Sequence, residues 1–347
     1  MVPSRLPTIS VIVPVYHGGE GFKQCLNALC RSDMRPAEII VVADGNVSSD
    51  SETASAVGVH IIVLPERGGP ARARNEGARA AHGEVLLFVD SDVLAPPGTV
   101  GLAAEAFARD PAIAALFGSY DDAPAAPDFL SQYKNLLHHY VHQNGREDAF
   151  TFWAGCGAVR RDVFLKLGGF DESYQRPSIE DIELGYRLKR AGYRVLLHKT
   201  LQVKHLKHWR LRSLLQSDIF DRALPWADLI LRYGAAPDDL NLKYSSRFSV
   251  VLAWGVALGL ACAPWKAAAL APAAVMAMGL WILNAPLYGF FFRRRGLGFA
   301  VGAALLHWLY YLYSSAAFAA ALLRRLFRSG LTRAIGVRKA ASSLDRP

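Results

Sequence analysis

The sequence predicts an α/β domain followed by an α-helical membrane region. Over roughly the first 200 residues, short β-branched apolar runs alternate with segments of helical spacing, the signature of strand–helix–strand units. From 248 onward the chain changes character. Stretches 248–265, 267–292 and 296–323 carry no charged residue and are separated only by Lys266 and by Arg293-Arg294-Arg295. At about 1.5 Å per residue, each is long enough to cross a hydrocarbon core of ~30 Å.

Ile9–Val15 is β-branched and reads as a buried strand, with Gly18-Gly19 as a turn. Phe22, Leu26 and Leu29 share one face of a helix over Phe22–Cys30. Glu38–Val42 is a second strand, closed by Asp44-Gly45-Asn46; Glu52–Val57 is a short helix and His60–Leu64 a third strand. After the break at Arg67-Gly68-Gly69-Pro70, Ala71–Ala81 is a helix leading to the strand Val85–Val89. This pitch predicts a parallel, right-handed, doubly wound sheet. Gly101–Arg109 is helical, Ala112–Gly118 a strand, Asp121–Asp128 a loop and Phe129–His142 a helix. Gly155 and Gly157, within Phe150–Val159, predict a close backbone approach. Arg160–Leu167 and Ile179–Ala191 are helices, and Tyr193–His198 a strand.

The expected organisation is an α/β domain over 1–203, a basic amphipathic interfacial segment over 204–247, two to three membrane helices over 248–323, and a basic tail over 324–347. In the second segment, Lys204, Lys207, Arg210 and Arg212 surround Trp209, and Trp226 follows, a composition suited to an anionic headgroup layer. The formal charge of +9 is thus assigned to a membrane surface and not to nucleic acid. Three full crossings place Arg324, Arg325, Arg328, Arg333 and Arg338 outside, against the positive-inside tendency; a re-entrant third stretch keeps both basic clusters inside. An N-terminus that enters a strand by residue 9, with no charged n-region, predicts a domain that stays in the cytoplasm. Cys25, Cys30, Cys156 and Cys262 have no zinc or disulfide spacing and are expected as reduced thiols in apolar settings.

The chemistry concentrates at Asp90-Ser91-Asp92. Two carboxylates at the end of a buried strand are costly unless compensated. Mg²⁺ or Mn²⁺, which take one or two carboxylates together with phosphate oxygens, would compensate them. Strand ends are also where open α/β sheets bind ligands.

The order of motifs resembles the inverting family 2 glycosyltransferases of GT-A fold, the Rossmann-like nucleotide-diphospho-sugar transferases, in a membrane-anchored form. Val11-Ile-Val-Pro14-Val-Tyr16 is similar to that family's first strand and nucleotide loop, and Glu38–Gly45 to its second strand, although Ala43 stands where a first aspartate is usual and leaves Asp44 alone. Gly69-Pro-Ala-Arg-Ala-Arg74-Asn75, Asp90-Ser-Asp92, and Gly168–Glu172 followed by Ile179-Glu180-Asp181 match the remaining segments, over roughly residues 8–205. No Gln-x-x-Arg-Trp sequence of the processive synthases is present, which implies transfer of a single sugar.

The resemblance implies a UDP- or GDP-sugar donor held by Pro14, Tyr16, Asp44, Arg74 and Asp90, and Mg²⁺ or Mn²⁺ held by Asp90, Asp92 and His205, with His208 as a rival to the last. It implies Asp181 as general base, with Glu180 orienting it or raising its pKa through like charge. A phosphate acceptor is already anionic and needs no base, so the acid pair favours a hydroxyl on a membrane lipid or lipid-linked acceptor over a polyprenyl phosphate. A GT-A domain without turnover, serving as a binding or scaffold module, is the alternative outside enzymology. Among His138, His139 and His142, the i,i+4 pair His138 and His142 has the spacing for zinc on a helix, but no third ligand is evident, and the helix is expected to face the acceptor or to pack.

Overall fold

The computed structural model describes residues 5–45, 48–234 and 236–344, with side chains to 327. Asn46 and the side chains of Arg328, Arg333 and Arg338 lie outside the described residues. Strand β1 (Ile9–Val15) is buried along its whole length, and α1 (Gly19–Cys30) follows it, burying Phe22, Cys25, Leu26 and Leu29 on one face. Then come β2 (Glu38–Ala43), α2 (Ser48–Ala56), β3 (His60–Val63), α3 (Pro70–Ala80) and the fully buried β4 (Val85–Val89). Gly69 precedes α3 at φ +88°, and a Cβ there would stand 2.5 Å from the Gln175 carbonyl oxygen, so only glycine fits.

A two-residue strand, β5 (Val93–Leu94), leads to α4 (Thr99–Arg109), β6 (Ile113–Tyr120) and α5 (Phe129–Gln143), which Asp128 caps through the Ser131 N–H. Next are β7 (Cys156–Arg160), α6 (Arg161–Lys166), α7 (Glu180–Arg190) and β8 (Arg194–His205). Acids occupy the first turn of α7 and bases its last, in accord with the helix dipole.

The sheet runs β3-β2-β1-β4-β7-β6-β8-β5. It is not the all-parallel sheet expected. β1 to β4 pair in parallel, but β7 is antiparallel to both β4 and β6, and β5 is antiparallel to β8. The chain returning from α5 enters the sheet where β4 ends, with Cys156 opposite Val89. That reversal sets the loop before β7 beside Asp90, whose N–H donates to the Gly155 carbonyl.

Beyond β8 come α8 (Leu211–Gln216), a π-helical stretch (Ser217–Ala223) and α9 (Leu224–Tyr233). Helices α10 (Tyr244–Cys262), α11 (Leu270–Arg295) and α12 (Leu297–Leu344) follow. Each of these three includes a stretch long and apolar enough to cross a membrane. Small residues let α10 and α11 approach closely: a Cβ on Gly259 would stand 2.6 Å from that of Ala273. Asn284 donates to Ser249 and accepts from Tyr311, so one amide ties all three helices.

The bundle is packed against the α/β domain through α5. Tyr133 and Leu136 cluster with Leu287, Tyr288 and Phe291 of α11 and with Ala300 and Ala303 of α12. Arg295 donates to Gln132 at 2.7 Å, and Arg294 pairs with Asp122. Trp209, expected in the headgroup layer, is instead buried, and its backbone N–H donates to the Ser131 hydroxyl. Lys204 likewise pairs with Asp121. Cys25 and Cys156 are buried, and Cys262 ends the apolar helix α10, whereas Cys30 is exposed on the α/β domain and so departs from the expected apolar setting.

Candidate active site

The site lies along the ends of β1, β2 and β4, and it is closed on the other side by α7 and the loop before β7. Asp44 is buried at the end of β2 and does not stand free. Its two oxygens accept from the Gly68 and Gly69 N–H groups at 2.7 and 2.9 Å, fixing the turn into α3. Tyr16 is exposed just past β1, with the Arg67 guanidinium 4.2 Å from its ring centre, while Pro14 is buried within β1. Arg67 had no sequence signal beyond its place in a glycine turn.

Arg74 emerges from the first turns of α3 and is buried. It donates to Asp90 Oδ1 at 2.6 Å and to Glu180 Oε1 at 2.8 Å. Burial opposes its charge, but Asp90 and Glu180 outweigh that and hold the guanidinium firmly protonated. Glu180 also accepts from the Ser178 N–H at 2.9 Å. Both of its oxygens are thereby engaged.

Asp92 sits one strand register from His205. β5 pairs with β8 so that Val93 faces His205, and the imidazole Nε2 stands 3.5 Å from Asp92 Oδ2. The His205 ring stacks on Tyr120 at 4.2 Å between centres, 9° from parallel. Burial works against ionisation of Asp92, yet His205 and Lys207 outweigh it and keep the carboxyl below its ordinary range. His208 pairs elsewhere, with Asp128.

Asp92 and His205 suit a divalent cation as an oxygen donor and a nitrogen donor, and Asp92 remains 41 % exposed. Among the described residues, however, no three His, Cys, Asp or Glu side chains converge on one point, and Asp90 Oδ1 is turned to Arg74. The donor set fits an ion that takes few protein ligands and completes its shell with substrate oxygens and water, as Mg²⁺ and Mn²⁺ do.

Asp181 begins α7 on the opposite wall. Its Oδ2 accepts from the Ala154 N–H at 3.1 Å. Burial first, and then the adjacent Glu180 charge, raise Asp181 to about 6. Trp153 packs its ring 4.9 Å from both Tyr120 and His138. Its residue type carried no sequence signal, but the nearby glycines did. A Cβ on Gly155 would strike the Trp153 ring at 2.3 Å, and one on Gly157 would strike its carbonyl at 2.2 Å. His138 and His142 face the same cavity as Asp181, and burial pushes both below the usual imidazole range, His142 to about 4. His139 bonds the Tyr120 carbonyl and packs.

The family model for "Glycosyl transferase family 2" matches residues 10–168. Among curated proteins, the chain is 25% identical over 260 residues to the pre-mycofactocin glycosyltransferase of Mycobacterium tuberculosis, covering 72% of this chain and 51% of that one. It is 28% identical over 223 residues to the validoxylamine A glucosyltransferase of Streptomyces hygroscopicus, covering 54% and 49%. The chain thus spans about half the length of these curated relatives. Among solved structures, a mannosyltransferase from Pyrobaculum calidifontis, in complex with GDP-Man and Mn²⁺, superposes with a TM-score of 0.54 at 22% identity, covering 94% of this chain and 89% of that one. Residues 10–168 are thus a family 2 glycosyltransferase segment, in a domain of GT-A fold followed by three helices long and apolar enough to span a membrane.

Proposed function

We propose that the protein is an inverting, metal-dependent glycosyltransferase that moves one sugar from a cytoplasmic UDP- or GDP-sugar to a hydroxyl of a membrane lipid or lipid-linked acceptor. The observation that carries this reading is the placement of Asp181. A carboxyl raised to about 6 lies across from the Asp90–Asp92 strand end and lines a cavity bounded also by Tyr310 of α12. A base with that pKa is ionised near neutral pH and still takes up a proton as the hydroxyl attacks. A base on the acceptor side favours a single displacement with inversion.

On the donor side, the open faces of Tyr16 and Arg67 suit a base or ribose. Asp44 acts by holding the Gly68–Gly69 turn in place beneath them. Arg74 positions Asp90 and Glu180. Asp92, with His205, would hold Mg²⁺ or Mn²⁺. Such an ion supplies charge to offset the diphosphate leaving group, and the Mn²⁺ and GDP-Man of the Pyrobaculum calidifontis enzyme support that choice. The three apolar helices support a multi-pass inner-membrane location with the α/β domain in the cytoplasm, where nucleotide sugars are available. The division at 203, 247 and 323 follows from the same reading.

The test is a donor screen with purified full-length protein, a membrane extract as acceptor and mass spectrometry of the product. A single hexose added to a lipid-extractable species is the expected result. Product only on soluble acceptors would overturn the lipid assignment.

A further inference from the structure

The apolar stretch of α12 is held against the α/β domain at both of its ends. Where it starts, Arg294 pairs with Asp122, and Arg295 donates to Gln132 of α5 at 2.7 Å. Where it stops, Arg324 and Arg325 line a cavity of about 440 Å³ with Asp228 and Arg232 of α9. Helix α9 is itself fastened to α7. Tyr233 donates to Glu183 at 3.2 Å, and the Arg190 guanidinium stands 4.9 Å from the centre of the Tyr233 ring. Between these ends, Ala300 and Ala303 pack with Tyr133 and Leu136 of α5, and Tyr313 donates to Asp218 at 2.7 Å. From Arg295 to Arg325 the helix runs about 45 Å at ~1.5 Å per residue. A helix that stays on a water-soluble domain over that length cannot also cross a hydrocarbon core of ~30 Å.

Helices α10 and α11 behave differently. Their ties to α12 lie in the halves nearer the domain. Trp308 donates to the Ala253 carbonyl, Trp254 to Ser315, and Tyr311 to Asn284. Farther out the two pack on each other, with Gly259 against Ala273 and Gly255 against Met276, while Leu258, Trp265, Val275 and Met278 are exposed. They project past α12 as a hairpin.

The composition of α12 agrees with this difference. The middle of its apolar stretch carries Trp308, Tyr310, Tyr311 and Tyr313 with Ser314 and Ser315. In a full crossing these would sit at the bilayer centre, whereas Trp and Tyr favour the membrane–water boundary. Val301, Leu305, Leu309 and Leu323 are exposed and fall within about 80° of one another at 100° per residue, so one apolar face is left open along the helix.

We propose that α12 lies in the plane of the membrane, its open face seated at the headgroup–acyl boundary of the leaflet next to the α/β domain, and that only α10 and α11 cross. Arg293–Arg295 and Arg324–Arg325 then flank that face on one side of the membrane, where anionic headgroups attract them and the positive-inside tendency is met. Tyr310 of α12 walls the cavity that holds Asp181, so the same placement sets that cavity at the membrane surface. The proposal rests on the membrane location given above and fixes its topology.

Thiol reporters in the full-length protein test it. In a background with Cys30→Ser and Cys262→Ser, Lys266→Cys marks the connection between α10 and α11, and Arg325→Cys marks the end of the apolar stretch of α12. Sealed bacterial spheroplasts are treated with a membrane-impermeant maleimide. Lys266→Cys should be labelled at once, and Arg325→Cys only after the membrane is permeabilised, which also shows that the thiol is reactive. In nanodiscs, nitroxides placed singly at Val301, Leu305, Leu309 and Leu323 should report one common depth by power saturation against oxygen and a nickel chelate. Labelling of Arg325→Cys before permeabilisation would overturn the proposal, as would nitroxide depths that rise to a maximum at mid-helix and fall again. Protection of Lys266→Cys until permeabilisation would overturn the crossing by α10 and α11, and with it the membrane location itself. None of these readouts needs a donor or an acceptor, so they stand apart from the reading of activity.

Discussion

Arg74 donates to Glu180 across 106 positions of sequence, Nη1 to Oε1 at 2.8 Å, while its Nη2 holds Asp90. The guanidinium thus joins the end of β4 to the first turn of α7, which also carries Asp181. Removing it leaves Glu180 buried without its cation. Breaking such a pair from one side costs about 3 kcal/mol or more, so Arg74→Ala should lower the thermal midpoint by several degrees. Glu180→Gln keeps a hydrogen-bond acceptor and removes a charge. Its expected signature is a shift of the activity profile to lower pH, because the like charge beside Asp181 is gone. An unshifted profile in Glu180→Gln would mean that Glu180 serves only to hold Arg74.

Asp181→Asn keeps the shape of the side chain and removes its basicity. Transfer should fall by about 10²–10⁴-fold with donor binding retained. Asp181 is raised to about 6 in the folded protein. At pH 7 the native state therefore bears the cost of ionising it, and the neutral Asn should hold or raise the melting temperature. In the wild type, kcat should climb as pH rises through about 6 and then level off. The groups facing Asp181 that set this value are Glu180 on its own helix, Arg74 on α3 and Arg222 on the π-helical stretch. Near wild-type transfer by Asp181→Asn would exclude the base role and favour an acceptor that is itself an anionic nucleophile.

The strands were legible where burial is continuous. β1, β4 and most of β2 follow directly from continuous apolar runs buried on both faces, as in the centre of a parallel sheet. The direction of β7 was not legible. Gly155 and Gly157 do announce a close approach, but a glycine says nothing about which way its neighbour runs. The reversal depends on where α5 returns the chain. The site divides in the same way. Asp92 and Asp181 were marked by their local sequence. The contact of His205 with Asp92 depends on pairing between β5 and β8, which neither segment announces locally. Trp209 misled for a physical reason: an amphipathic Trp beside lysines suits a headgroup layer and a domain surface equally, and here its buried ring lies near Lys134 of α5 and Lys207.

Divalent-ion dependence follows from the Asp92 rim. Activity should vanish in excess chelator and return with Mn²⁺ or Mg²⁺. Asp92→Ala should lose most turnover by removing an exposed oxygen ligand. Asp90→Ala should lose stability as well, because the buried Arg74 then keeps only Glu180. Equal melting temperatures for Asp90→Ala and wild type would show that the Arg74–Asp90 contact adds nothing to the fold. Full turnover in chelator would exclude the metal.

The remaining contact with the membrane surface is narrower than the basic stretch 204–212 suggests. Lys204 is committed to Asp121, and Lys207 lies 4.3 Å from the centre of the Trp209 ring. Arg210 and Arg212 are left exposed at the start of α8, beside Leu211, which is 53% exposed, and near Phe220, at 63%. Two cations flanking bare apolar side chains suit an anionic headgroup layer. Each cation contributes about 1 kcal/mol of attraction to an anionic surface, falling off within a Debye length. The three apolar helices already anchor the chain, so neutralising these two arginines should not release it from membranes. The α/β domain should instead sit less firmly over the bilayer. In anionic vesicles, the double variant Arg210→Gln, Arg212→Gln should raise the apparent KM for a lipid acceptor several-fold and leave that for the nucleotide sugar unchanged. In neutral vesicles, variant and wild type should coincide. Equal acceptor kinetics in both vesicle types would mean that the patch only solvates the domain surface.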